Sequence, residues 1–121
     1  MKVLTSVVNN PIFIEIQYYT LKKFLHCDYE FIVFNDAKPF PDFTNGKDVS
    51  VRYKIFETCN NLGIQCILVD NLHQQSMDCP VVRCAEAMNF MYDYMLKNKD
   101  EYLILDSDMF LISDLDINKY R

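Results

Sequence analysis

Glycine is scarce in this chain of 121 residues, which contains only Gly46 and Gly63. A dinucleotide-binding G-x-G-x-x-G loop and a phosphate-binding G-x-x-x-x-G-K-[ST] loop each need two or more glycines at fixed close spacing, so neither exists here. The G-x-S-x-G elbow of α/β hydrolases is excluded for the same reason. The sequence therefore rules out the common glycine-loop modes of nucleotide binding.

Basic charge and long apolar runs are also lacking. Lys and Arg number 12 against 17 Asp and Glu, which gives a formal net charge of -5. Nucleic-acid binding depends on Lys and Arg neutralising phosphates, so we expect no nucleic-acid partner. The apolar runs are shorter than the roughly 20 residues of a membrane helix, and the N-terminal one is too short for a signal peptide. We expect a cytoplasmic protein without a membrane span.

Metal-binding patterns of cysteine and histidine are missing as well. The cysteines are odd in number and scattered, at Cys27, Cys59, Cys66, Cys79 and Cys84. None shows the C-x-x-C spacing of a zinc or redox site, so we expect reduced thiols, with Cys59 and Cys84 on helix faces as small apolar residues. His26 and His73 have no ligand partner in view and are predicted to lie at the surface.

What the sequence does contain is an alternation of apolar runs with helical patterns. Runs at 3–8, 30–34, 64–69 and 102–105 predict strands. Between them, apolar spacing predicts a helix capped by Asn10 with Pro11 at its first position, a second over 50–61 closed by Gly63, and a third over 82–97. Each interval between strands has room for a helical crossover. The order β-α-β-α-β-α-β predicts one α/β domain with a Rossmann-like, mostly parallel sheet.

Two aspartates follow the last predicted strand directly. Residues i and i+2 of an extended chain project to the same side, so Asp106 and Asp108 can converge on one point. Two neighbouring anions repel each other unless protons or a cation neutralise them. Carboxylate oxygens are preferred ligands of Mg²⁺ and Mn²⁺, and open α/β sheets bind ligands at the carboxyl ends of their strands. The alternative is an ordinary turn after a strand.

A second D-x-D pair, Asp114 and Asp116, comes after a further apolar run rather than at the end of a strand. We interpret this pair as turn and helix-cap residues.

The first pair lies in a segment that resembles a known superfamily. Residues 105–112 read LDSDMFLI and residues 113–116 read SDLD. This is similar to the D-x-D segment of GT-A-fold glycosyltransferases, nearest to the glycogenin and bacterial lipopolysaccharide galactosyltransferase group, in which an apolar run and [ND]-[IL]-D follow the D-x-D. The resemblance covers the nucleotide-sugar-binding, N-terminal half of that fold. The first 80 residues match in pattern only.

The resemblance implies a donor site. Asp106 and Asp108 would bind Mn²⁺ or Mg²⁺, and the metal would bind the diphosphate of a nucleotide sugar, most simply a UDP-sugar. The nucleotide-sugar site would also include Ser107 of the D-x-D and the end of the first strand, namely Thr5, Val7 and Asn9.

Two further residues match the family pattern in position. Asp36, just after the second strand, would contact the base, and the alternative is an ordinary turn aspartate. Arg83, near the start of the third helix, would meet phosphate or sugar, and the alternative is a solvated arginine at a helix end.

The departure from the family pattern is large. A GT-A enzyme carries an acceptor site and its remaining catalytic residues after the D-x-D, whereas this sequence stops at Arg121, so no catalytic residue is identified. We expect a truncated donor-binding half spanning 1–121, whose uncovered sheet edge near 109–112 promotes self-association. The alternatives are a nucleotidyltransferase-like enzyme, which usually has a glycine-rich basic segment after its first strand, and a non-catalytic nucleotide-sugar-binding or interaction module.

Overall fold

A computed structural model describes residues 1–77 and 79–121. Its strands and helices follow the predicted order, so the α/β fold class is confirmed. They are β1 (Lys2–Val7), α1 (Ile12–Phe24), β2 (Glu30–Asn35), α2 (Val51–Leu62), β3 (Gln65–Leu68), α3 (Pro80–Lys97) and β4 (Tyr102–Leu105), with short 3-10 helices at Leu72–Ser76 and Ile117–Tyr120. Within these ranges, no helix combines the length and apolar character required to cross a membrane.

The four strands form one parallel sheet in the order β3-β2-β1-β4. Leu4 in β1 aligns with Ile32 in β2 and with Ile104 in β4. Leu4 and Ile32 are fully buried, whereas Ile104 on the edge strand is 39% exposed. The carboxyl ends of β1, β2 and β4 therefore meet at one end of the sheet, with β4 as an open edge.

The helices cover the two faces of the sheet unequally. On one face, side chains of α1 and α2 such as Ile14, Leu21 and Ile55 pack against β1 and β2. On the other face, Met91 and its neighbours on α3 form a smaller cluster with Leu4 and other sheet residues. Because successive strand residues point to opposite faces, the nearly continuous apolar strands supply both cores.

Helix ends differ from the predicted ones by one or two residues. The first helix begins at Ile12 after Pro11, and Asn10 Oδ1 accepts a hydrogen bond from the Ile12 N–H at 3.1 Å. The third begins at Pro80, two residues early, because the fixed φ of proline suits a first helical position. Gly63 ends α2 with φ 69°, as predicted for a glycine cap.

The segment after β4 returns along α1. The Phe110 ring packs edge-on against Phe13 with ring centres 5.6 Å apart, and the Leu115 N–H donates to Phe24 O at 2.9 Å. Leu111 is half-buried against the main core, whereas Ile112 is 89% exposed. The expectation that 109–112 are uncovered is therefore wrong for residues 110 and 111, because α1 offers them an apolar surface.

Candidate functional site

A cleft of about 370 Å³ opens at the carboxyl ends of β1, β2 and β4, beneath the first half of α3. Its wall combines a few charged groups with apolar side chains of the helix and the edge strand. Its charged residues are Asp36, Lys38, Arg83, Asp106 and Asp108, and its other lining side chains include Ser6, Val8, Phe43, Thr44, Cys84, Met88 and Ile104. The sheet topology places it where open α/β sheets bind ligands.

The segment Asp106-Ser107-Asp108-Met109 forms a tight turn directly after β4. The Met109 N–H donates to Asp106 O at 3.0 Å, which closes the turn. Asp106 and Asp108 are exposed and line the cleft. The ion pairs formed within residues 1–77 and 79–121 all involve other carboxylates. The turn therefore presents two exposed carboxylates to the cleft.

This pair suits one particular kind of metal binding. Across the described parts of the chain, no group of three or more His, Cys, Asp and Glu side chains could hold a metal ion. Mg²⁺ is commonly held by one or two carboxylates together with phosphate oxygens of a substrate and water, rather than by a complete protein cage. Asp106 and Asp108 would be the two carboxylates of such a half-site, and the phosphates of a ligand would complete the coordination.

Asp36 is one half of a buried ion pair and not an exposed aspartate of an ordinary turn. Its side chain lies 3.1 Å from Lys38 Nζ, and the two side chains are 4% and 1% exposed. Asn71 Nδ2 donates to the same carboxylate at 3.1 Å, and Arg52 donates to Asn71 Oδ1 at 2.8 Å. This network joins the end of β2, the start of α2 and the loop after β3. It fixes the floor of the cleft and satisfies the Asp36 carboxylate.

Arg83 is buried, so the alternative of a solvated arginine at a helix end is wrong. Its guanidinium donates to the Asp42 carboxylate and to the carbonyls of Gln74 and Met77. Burial raises the pKa of Asp42, but hydrogen bonds from Thr44, Asn45 and Arg83 outweigh it and lower that pKa below its ordinary value. Arg83 thereby ties the loop after β2 to α3.

That loop forms one wall of the cleft. Asn9 Nδ2 donates to Thr44 O at 3.1 Å, and Asn45 Nδ2 donates to Lys38 O at 3.0 Å. Phe43 directly precedes Thr44 and Asn45, lines the cleft and is 51% exposed. The loop therefore holds an aromatic ring at the opening.

The charges in and around the cleft divide into paired and exposed groups. Lys38 is paired with Asp36, and Arg83 with Asp42. Asp106 and Asp108 form no ion pair within residues 1–77 and 79–121. An anionic ligand would meet repulsion there unless a cation came with it.

Five of the eight predicted site residues come together at this cleft, namely Asp36, Arg83, Asp106, Ser107 and Asp108. Thr5 and Val7 do not, because they point to the α1 side of the sheet and are 0% and 1% exposed. Their neighbours Ser6 and Val8 point to the cleft instead. The cleft is therefore lined by the predicted end of β1, but by the residues of its other face. Asn9 contributes indirectly, through its bond to Thr44.

Sequence reasoning missed Lys38, Phe43 and the cleft-facing residues of α3. The signal for Lys38 was its spacing from Asp36, since residues two apart after a strand can pair. Phe43 gave no such signal, because its position depends on the distant contacts of Arg83 and Asn9.

The two histidines and the second D-x-D pair lie outside the cleft lining. His26 and His73 are exposed, as predicted, with Nε2 within 2.7 Å of Asp114 and 2.8 Å of Glu86 respectively. Asp116 accepts a hydrogen bond from the Asn118 N–H at 3.1 Å and caps a 3-10 helix, as expected for the second D-x-D pair.

The cysteines are all free thiols. A hydrogen bond with Cys66, together with burial, raises the pKa of the Cys59 thiol. Cys84 is exposed at the cleft rather than packed as a small apolar residue, which corrects the prediction for that position.

The sequence and the fold were compared with known proteins. No family model, no curated protein and no solved structure matches this chain.

Proposed function

We propose that the cleft binds a nucleoside diphosphate sugar through a divalent cation and serves as the donor site of a glycosyltransferase. The observation that carries the proposal is the pair of exposed carboxylates, Asp106 and Asp108, in one turn at the carboxyl end of β4. The nearby cations are paired with other acids, so a bound cation supplies the attraction for a diphosphate.

The rest of the cleft suits such a ligand. A volume of about 370 Å³ lies within the range of small-molecule sites. Phe43, Met88 and Ile104 offer apolar surface to a base or sugar ring, while Ser6 and Ser107 offer hydroxyl groups. An apolar wall beside a few polar groups is the usual composition of a ligand pocket.

In the proposed reaction, the acceptor oxygen forms a bond to the sugar's anomeric carbon as the bond from that carbon to the diphosphate oxygen breaks, and the hydroxyl proton is released to solvent. Mn²⁺ or Mg²⁺ held at this site would supply positive charge to the departing diphosphate. Asp106 and Asp108 would hold that cation, the Arg83–Asp42 pair fixes the loop that carries Phe43, and the Asp36–Lys38 pair keeps the cleft floor rigid. We also propose a cytoplasmic location, since free thiols are typical of a reducing compartment.

Calorimetric titration tests the binding step. UDP, GDP and their sugars are titrated into the protein with Mn²⁺ and then with EDTA. We expect binding with Mn²⁺ and its loss with EDTA. Equal binding under both conditions would contradict a metal-dependent donor site. Metal-dependent binding of a nucleoside triphosphate in strong preference to any nucleoside diphosphate sugar would support nucleotidyltransferase chemistry instead.

A further inference from the structure

Gln17 lies on α1, on the opposite side of the sheet from the cleft, and is fully buried. Its Nε2 donates to Asp106 O at 2.8 Å and to Met109 O at 3.1 Å. These two carbonyls belong to the first and last residues of the turn that carries the candidate metal ligands. One amide group therefore joins both ends of the turn to α1.

Burying the amide of Gln17 at this position is energetically unfavourable. Its neighbours on the same helix face, Ile14 and Leu21, are apolar and fully buried. Within the described residues, Gln17 Oε1 has no hydrogen-bond partner. Burying an amide with an unsatisfied oxygen is unfavourable, so an apolar residue would serve the packing of α1 better. The favourable contribution of Gln17 lies in the hydrogen bonds of its Nε2, which are short to the two carbonyls and longer, at 3.5 Å, to Thr5 Oγ1.

We propose that Gln17 is a positioning residue that holds the turn in the conformation able to receive a divalent cation. The proposal rests on the metal site of the proposed function. Gln17 fixes the backbone at both ends of the turn, and Asp106 and Asp108 lie within it. Because Gln17 already fixes the turn from the α1 side, cation binding does not have to order it, and the affinity for the cation is higher. Substitution of a residue that orients metal ligands typically lowers the metal affinity about 10–100-fold.

The test compares Gln17→Met with Leu21→Ala. Methionine has a similar length and no amide donor, whereas Leu21 lies one helical turn away on the same buried face and has no side-chain donor for the carbonyls of the turn. Both variants are destabilised, so chemical denaturation first establishes conditions in which each is folded. Mn²⁺ affinity is then measured by electron paramagnetic resonance with UDP or GDP present, because a site of two carboxylates needs phosphate oxygens to complete the coordination. We expect it to fall about 10–100-fold in Gln17→Met and to be unchanged in Leu21→Ala. An equal loss in both variants, or none in Gln17→Met, would overturn the proposal.

A second measurement separates this proposal from the proposed function. Amide hydrogen exchange of Met109, whose N–H closes the turn, needs no metal. Relative to global unfolding, we expect Met109 to exchange faster in Gln17→Met and at the wild-type rate in Leu21→Ala. If wild-type protein binds no Mn²⁺ in the presence of UDP or GDP, the proposed function fails, while faster Met109 exchange still supports the anchoring of the turn by Gln17. Unchanged exchange would overturn that anchoring whatever the metal result.

Discussion

The guanidinium of Arg83 lies 4.5 Å from the centre of the Phe43 ring, in the wall of the cleft. A cation over an aromatic face is attracted by the ring's quadrupole. The same guanidinium is fixed by Asp42, so the ring is held by a group that is itself immobile. Phe43 therefore offers a half-exposed aromatic surface of defined position to a ligand.

Replacing Phe43 with Ala should weaken the binding of a nucleoside diphosphate about 5- to 150-fold. Stacking of a base on an aromatic side chain contributes about 1–3 kcal/mol. Calorimetric titration with Mn²⁺ present measures the change. Tyr53→Ala is the control, since that ring is 76% exposed on α2 and lies outside the cleft lining. Equal affinities for wild type and Phe43→Ala would show that the ring does not contact the ligand.

Asp106→Asn and Asp108→Asn should each abolish metal-dependent nucleotide binding while leaving the fold nearly as stable. Asparagine keeps the shape of the side chain but removes the charge that attracts a hard cation. Asp114→Asn is the matched control, because its carboxylate contacts His26 at the surface. Titration and thermal unfolding measure the two properties. A larger loss of binding in the control would mean that the second D-x-D pair is the metal site.

Asp42→Asn should destabilise the protein by about 3 kcal/mol at neutral pH, because it leaves the buried Arg83 guanidinium without its partner charge. The folded-state pKa of Asp42 is depressed below its ordinary value of 3.8. Its stabilising contribution is therefore present above that value and is lost as the pH falls through the folded-state pKa.

The difference in unfolding free energy between wild type and Asp42→Asn should shrink in acid. Urea denaturation at pH 7 and at the lowest pH where both proteins fold measures it. Asp48→Asn is the control: hydrogen bonds from Ser50 and Lys54 lower the pKa of Asp48 to about 2, but its pair with Lys54 is exposed. We expect a smaller effect there. A difference for Asp42→Asn that stayed constant with pH would contradict this assignment.

Cys84 should be protected from alkylation by a bound ligand. Its side chain is exposed at the cleft, whereas Cys79 is exposed outside the cleft lining. Labelling by iodoacetamide, followed by mass spectrometry, reports both sites in one sample. We expect a nucleotide sugar with Mn²⁺ to slow labelling of Cys84 and to leave Cys79 unchanged. Equal protection of the two cysteines would indicate a general change in structure instead of occupancy of the cleft.

The open edge of β4 should make the 121-residue chain self-associate. Ile104 is 39% exposed on this strand, and Tyr92 and Leu96 on α3 are 56% and 57% exposed. Edge strands with apolar surroundings tend to pair with other chains. Light scattering measures the effect, and Ile104→Lys should reduce it because a charge on an edge opposes pairing. A wild-type monomer at high concentration would contradict the prediction.

The strand and helix sequence was predictable because each element carries its own signal. Continuous apolar runs indicated strands, and Gly63 and Pro11 marked helix ends within one residue. Strand order was less accessible, because the position of β4 next to β1 depends on contacts between residues about a hundred positions apart.

Side-chain direction limited the prediction of the site. The sequence shows that successive residues of β1 point to opposite faces of the sheet, but not which face carries the cleft. It therefore does not distinguish Thr5 and Val7 from Ser6 and Val8 as cleft residues. The ends of β2 and β4 posed no such difficulty, because Asp36, Asp106 and Asp108 were the conspicuous polar residues there. Gln17 was hidden among apolar helix positions, since its partners are backbone carbonyls that no side-chain pattern reveals.

Met1 and Arg121 lie close together at the amino-terminal end of the parallel strands. The amino group of Met1 is 3.5 Å from Asp100, and Arg121 Nε is 2.7 Å from the adjacent Glu101. Proteins with neighbouring ends often accept circular permutation. A short linker from Arg121 to Met1, with new ends at the exposed Lys47, would leave the sheet order unchanged while making β4 and β1 consecutive in the chain. The D-x-D turn would then lie before the strand whose carboxyl end it faces, so the permuted protein would assemble the same cleft with residues 80–108 preceding residues 6–44 in the chain.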